Sequence, residues 1–221
     1  MKNSILLLIL TFLANGCGAV PFHETEPAPL PPGEPRSVVE RFEAALPASF
    51  QLLSTVVFEY NWRTFSGIGY LDINTADKAF KVVCLNPMGV KLFELSGDRN
   101  SVATHYTIAD FTRYGDVAAA VAGDIRRIYF DLVPAREATV RKSACRLKFR
   151  QPSGAGHLEY VFAGPRGDLI EKNYYDESGL AWRVAYYEYL EQNGKRVPQG
   201  IVLLHYDYRY RLTVRQKEFH F

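Results

Sequence analysis

Apolar and polar residues alternate with a period of two over much of the chain beyond residue 50, and a helical spacing appears twice, once ahead of that stretch and once within it. Ser37-Val-Val-Glu40 reads as a capping box, with Ser37 placed to take a helical amide and Glu40 reaching back. Val38, Val39, Phe42, Ala45 and Leu46 then share one helical face, and Pro47 stops the helix. A second helix is expected from Asp116, its cap, to Leu132, with Pro134 beyond its end. Val117, Val121, Ile125 and Ile128 form its apolar face.

The remainder reads as strands, at 56–62, 65–73, 79–85, 90–95, 101–108, 143–150, 158–162, 169–175, 182–189 and 202–214. Whether a turn near Asp207 interrupts the last stripe stays open. Roughly ten strands with two helices left over describe a mainly β (α+β) domain. The expectation is a curved antiparallel sheet or incomplete β-barrel, its open side covered by the helices. Lys81 to Leu95 is its clearest hairpin. Apolar residues run into Asn86-Pro87-Met88-Gly89 and resume at Val90. Pro87 fixes its own φ, Asn86 is pushed to extended geometry and Gly89 permits positive φ, so the four form a turn. Met88 on that turn is either folded back on the core or offered to a lipid or partner.

Composition adds limits. The chain is 48% hydrophobic and 14% aromatic, ample for one core. Lys and Arg number 26 against 24 Asp and Glu, so no field favours nucleic acid. His23, His105, His157, His205 and His220 are scattered, with no metal-ligand spacing. No Gly-x-Ser-x-Gly, phosphate loop or evident nucleophile points to an enzyme, and no cofactor is implied. Cys84 and Cys145, both on expected strands, could pair in an oxidising compartment or stand as separate buried thiols; the sequence leaves both open and leans to separate thiols.

The first residues carry an address. Met1-Lys-Asn-Ser4 is positively charged, and 5–14 is apolar but too short to span a bilayer. Leu13-Ala-Asn-Gly-Cys17 resembles the lipobox of bacterial lipoproteins. That resemblance implies a signal peptide over 1–16, removed before Cys17, and attachment of acyl chains such as palmitate to Cys17. Gly18 after the cysteine implies the outer membrane. Residues 17–36 would then be a lipidated, proline-rich tether of ~60 Å when extended, standing outside a domain of 37–221.

The order of elements in that domain resembles the LolA/LolB lipoprotein-carrier family, nearest to its outer-membrane receptor branch. The likeness is strongest from Val82 to Leu95, around Leu85-Asn-Pro-Met-Gly89 with Leu92 and Leu95 beyond. It implies an incomplete barrel, closed at one mouth by helices, around an apolar cavity for acyl chains. It implies that Asn86, Pro87, Met88 and Gly89 are the lipid-transfer loop, with Met88 protruding. The implied partners are an acylated lipoprotein or other lipid, a periplasmic carrier protein, and the membrane reached through Cys17. Two functions follow. One is an anchored carrier whose cavity holds acyl chains. The other is an accessory envelope lipoprotein that binds a protein partner through the same sheet and has a filled interior.

Overall fold

A computed structural model of the chain describes residues 20–112 and 115–221, so the segment 1–16 and Cys17 lie outside the described residues. Five strands come first: β1 Ser49–Tyr60, β2 Arg63–Asn74, β3 Ala79–Leu85, β4 Lys91–Gly97 and β5 Val102–Thr107. Seven more close the chain: β6 Thr139–Lys142, β7 Arg146–Ser153, β8 Gly156–Ala163, β9 Asp168–Asp176, β10 Gly179–Gln192, β11 Lys195–His205 and β12 Tyr210–His220. Each set is a meander of hairpins. β12 returns to pair with β1 from Gln51↔His220 to Tyr60↔Tyr210, which fuses the two sets. The result is one antiparallel, curved and unclosed sheet in the order β5-β4-β3-β2-β1-β12-β11-β10-β9-β8-β7-β6. Its edges, β5 and β6, are short and largely solvent-facing. Polar residues there, among them His105, Arg141 and Lys142, discourage pairing with another chain.

Ten expected strands become twelve for local reasons. A turn at residues 206–209, with Arg209 at φ 53°, divides the 202–214 stripe into β11 and β12. Residues 143–145, expected to begin a strand, instead form the turn between β6 and β7, where Ser143 N–H donates to the Arg146 carbonyl. β6 is exposed throughout and lacks the apolar alternation that marks a strand. β1 ends at Tyr60 rather than Trp62. Asn61 and Trp62, at φ 45° and 59°, make the two-residue turn of a tight hairpin.

Helix α1 spans Pro35–Ala45 and α2 spans Val117–Tyr129, with a single helical turn at Ala109–Thr112 before it. The expected Ser37 capping box does not form. Pro35, with its φ preset, starts α1 earlier, and the Ser37 hydroxyl donates to the Glu34 carbonyl instead. The other end is as expected: Leu46 is extended ahead of Pro47, which ends the helix. Asp116 caps α2 by accepting from Ala119 N–H at 2.9 Å.

Both helices pack on the same face of the sheet, hereafter the inner face. Phe42 of α1 is fully buried, edge-on to Phe162 and Tyr189 at 5.5 and 6.1 Å. Arg196, paired with Asp168 at 2.6 Å, lies over its ring. Arg36 donates to the carbonyls of Ala135 and Ala138 and covers Phe149. The proline-rich segment differs from expectation, because it lies on the fold. Phe22 is buried over Gly200 on the outer face, stacked on Tyr187 and beneath the Arg215 guanidinium. A Cβ at Gly200 would come within 2.4 Å of the Phe22 ring, so this seat requires glycine. Arg215 also donates to the Pro21 carbonyl, and Pro31 approaches Gly167 beside α1.

Candidate functional site: the inner face beneath helix α2

Helix α2 turns Ala118, Val121, Ala122, Ile125, Ile128 and Tyr129 toward the sheet. The expected apolar face is therefore rotated slightly, with Ala118 and Ala122 joining Val121, Ile125 and Ile128. Asp124 is also buried, where it accepts from the Tyr210 hydroxyl at 2.6 Å and from Arg127 at 2.7 Å. Burial holds its carboxyl above the ordinary range, although both contacts oppose that.

More polar ties fasten the far end of the helix. Arg126 donates to the carbonyls of Asp98 and Ser101 in the β4–β5 turn. The Tyr186 hydroxyl donates to Ile128 O at 2.9 Å. Lys172, from the inner face of β9, reaches the Phe130 and Arg127 carbonyls at 2.6 and 3.1 Å. This ammonium therefore meets the negative end of the helix dipole. Burial pushes its pKa down to about 8, and Asp131, itself paired with Lys78, partly counters the shift.

Two apolar clefts flank α2. One, of about 160 Å³, lies beside its start among Phe93, Leu95, Phe111, Val117 and Ala118. The other, of about 90 Å³, lies at its end among Leu46, Phe50, Ile128, Tyr129, Ile201 and Phe219. Both fall below the several hundred Å³ of a preformed ligand pocket. Between them the interior is filled: Phe42, Phe149, Tyr160, Phe162, Leu169 and Leu203 are fully buried. A chain-length ligand needs α2 to move.

The 86–89 turn connects β3 to β4. Asn86 organises it, its Oδ1 accepting from Met88 N–H at 3.0 Å and Val90 N–H at 2.9 Å. Gly89, at φ 82°, donates to the Asn86 carbonyl. Of the two readings of Met88, the outward one describes this geometry: its side chain is 84% exposed. The Trp62 turn is not expected from the sequence, and the turn near Asp207, open on the sequence, forms at 206–209. The signal was Asn61 ahead of Trp62, the kind of residue that tolerates positive φ.

Cys84 and Cys145 are free thiols, and burial raises the Cys84 pKa to about 11. Among the described residues no group of three or more His, Cys, Asp or Glu is placed to hold a metal, and no helix is long and apolar enough to cross a membrane.

No protein-family model matches the sequence, and no curated protein matches it. Solved structures do. A LolA superfamily protein from Nitrosomonas europaea aligns with a TM-score of 0.56 at 11% identity, over 85% of this chain and 93% of that one. A domain named for outer membrane lipoprotein sorting, from Vibrio parahaemolyticus, gives 0.51 at 7% identity, over 84% and 91%. At these identities the likeness concerns the fold alone, and the fold of this chain is LolA-like.

Proposed function

We propose that this protein is an outer-membrane-anchored envelope lipoprotein that takes an acyl chain, from a lipoprotein or another lipid, between α2 and the inner face of the sheet. The observation that carries this reading is an apolar inner face covered by one separately fastened helix with a cleft at each end, in a LolA-like sheet. Residues 1–16 act as the signal and Cys17 carries the anchor. The Asn86–Gly89 turn, with Met88 outward, passes the chain to the membrane. Because Arg215 holds Pro21 against the sheet, the leash from Cys17 to that point is about 14 Å when fully extended. The domain is thus held close to the bilayer instead of standing far from it.

Magnitudes make the exchange reasonable. Withdrawing Ala118, Val121 and Ala122, in the first half of α2, from the inner face costs roughly 3 kcal/mol of apolar burial. An acyl chain returns about 0.8 kcal/mol per methylene, so about four buried methylenes offset that loss. The filled, aromatic interior favours the second reading, an accessory lipoprotein that binds a protein partner. Mass spectrometry of lipid extracted from the purified chain, with uptake of a fluorescent fatty acid, separates the two. Bound acyl species and saturable uptake support the carrier, whereas the absence of both leaves the accessory reading.

A further inference from the structure

Alternating strand directions place five hairpin turns on one rim of the sheet. Three of them are neighbours along the sheet order: β3–β4, then β1–β2, then β11–β12. Eleven large apolar side chains are exposed among the described residues, and six of them sit at these three tips: Tyr60, Trp62, Met88, Val90, Tyr206 and Tyr208. Trp62 is 104% exposed and Tyr208 67%. The next two turns on the same rim, 177–178 and 154–155, are small or polar. The turns at the opposite end carry no exposed large apolar residue; Leu190 and Phe221 there stand on a strand and at the chain end.

Two features distinguish this cluster from scattered surface residues. Each tip sets a basic residue directly after an exposed apolar one: Trp62-Arg63, Val90-Lys91 and Tyr208-Arg209, all six exposed. Asp207 is the one acidic residue within the three turns. Lys91 pairs with Glu94 at 2.6 Å and also lies over the ring of Tyr106, 5.6 Å from its centroid, on the neighbouring edge strand. In addition, Trp62 holds a positive φ that glycine or asparagine would adopt more easily, with no burial in return.

We propose that these three adjacent tips form a bilayer-docking rim, with Trp62, Met88 and Tyr208 entering the headgroup level and Arg63, Lys91 and Arg209 facing anionic phosphates. Tryptophan and tyrosine favour that depth because one end is apolar and the other polar. Each basic residue adds roughly fivefold to binding at an anionic surface, and salt removes that part. The proposal shares the Met88 turn with the carrier reading but needs neither cargo nor a movable α2. Docking is tested on empty vesicles, so either idea can fail alone.

The chain has two tryptophans, Trp62 and Trp182. In the full chain carrying Trp182→Phe, Trp62 alone reports. The probe is vesicles of phosphatidylglycerol and phosphatidylethanolamine with chains brominated near the headgroup. The expected result is a blue-shifted Trp62 emission that the bromines quench, weaker on phosphatidylcholine and at high salt. Tyr208→Trp, in a chain also carrying Trp62→Phe and Trp182→Phe, should behave alike. Ala76→Trp in that background, at the opposite end, should stay unquenched. If Trp182→Phe impairs folding, the chain retaining both tryptophans is compared with Trp62→Tyr, and only the former should be quenched. Vesicle-bound chain with Trp62 unquenched overturns the proposal, as does equal quenching at position 76. A blue shift that grows with protein concentration without vesicles marks a contact between copies, and also overturns it.

Discussion

Replacing Lys172 by methionine tests whether α2 is fastened by a buried charge. The Lys172 ammonium is nearly inaccessible and bonds two carbonyls at the end of the helix. Its folded pKa, about 8, lies below the ordinary 10.5, with burial the principal cause. The unfolded chain therefore holds this proton more tightly. Between about pH 8 and 10.5 it carries more of the proton than the folded chain does, so stability from this group rises with pH across that window. The charged form is disfavoured by roughly 3 kcal/mol, and about 2 kcal/mol of that returns between pH 8 and pH 10.

Methionine removes this cost and the donors together. Each carbonyl left without a donor costs about 1–3 kcal/mol, so at pH 7 the variant should be less stable by no more than about 3 kcal/mol. The decisive quantity is the slope. Urea denaturation of both chains at pH 7, 8, 9 and 10 should show the parent gaining about 2 kcal/mol over the variant from pH 8 to pH 10. Other groups titrate in this range but cancel in the difference. Parallel profiles would refute a buried, charged Lys172.

Four further outcomes are expected. Met88→Glu should leave stability within about 0.5 kcal/mol, since the residue is exposed, while transfer of acylated cargo to vesicles falls sharply; a large drop in Tm would sink its proposed role. Phe22→Ala empties the seat over Gly200 and should cost about 2–3 kcal/mol, with faster proteolysis within 20–34; unchanged stability and cleavage would mean that the segment does not dock. Cys17→Ser should abolish labelling by a fatty acid and release the protein from membranes, and persistent label would reject the anchor. Backbone amides of residues 117–122 should exchange hydrogen faster than those of 124–129, and uniform protection along α2 would contradict a helix fastened at one end.

The hairpins were legible where side chains alternate on a half-buried surface. β7, with Leu147 and Phe149 inward against Lys148 and Arg150, is the clearest instance. β6 was not legible, because an exposed edge strand has no inward face to mark it. The β11–β12 turn stayed open on the sequence because its own tyrosines continue the alternation across the break, while Arg209 takes the positive φ. Trp62 reads as a strand residue for the same reason, since aromatic residues usually signal one. Prolines at 21, 27, 29, 31 and 32 gave the N-terminal segment the composition of a spacer. What seats it is chiefly a buried Phe22 meeting a glycine 178 residues away, with Arg215 on the Pro21 carbonyl and Pro31 beside Gly167, and no local pattern encodes those meetings. The Asn86–Gly89 turn was readable because its chemistry is local; where Met88 points was not, since that depends on what the finished rim leaves uncovered.

The polar ties of α2 are unevenly distributed. Those from Tyr210, Lys172 and Tyr186, and those from Arg126 to the β4–β5 turn, engage residues 124–130. Val117 and Ala118, in the first half, are only half-buried and line the larger cleft. A hydrogen bond to a charged group must be broken at close range, whereas small apolar side chains separate at a cost proportional to area. The least costly opening therefore lifts the first half of α2 and leaves the second half latched. It would admit a chain along Phe93, Leu95 and Phe111, between α2 and the β4–β5 side of the sheet. β4 begins just after the Met88 turn and runs from that rim into the cleft. An acyl chain entering there passes from the exposed tip to the inner face along one strand, without crossing the packed aromatics around Phe42 and Phe162. A filled interior and a carrier role are thus compatible in one fold, provided the filled part is the latched end.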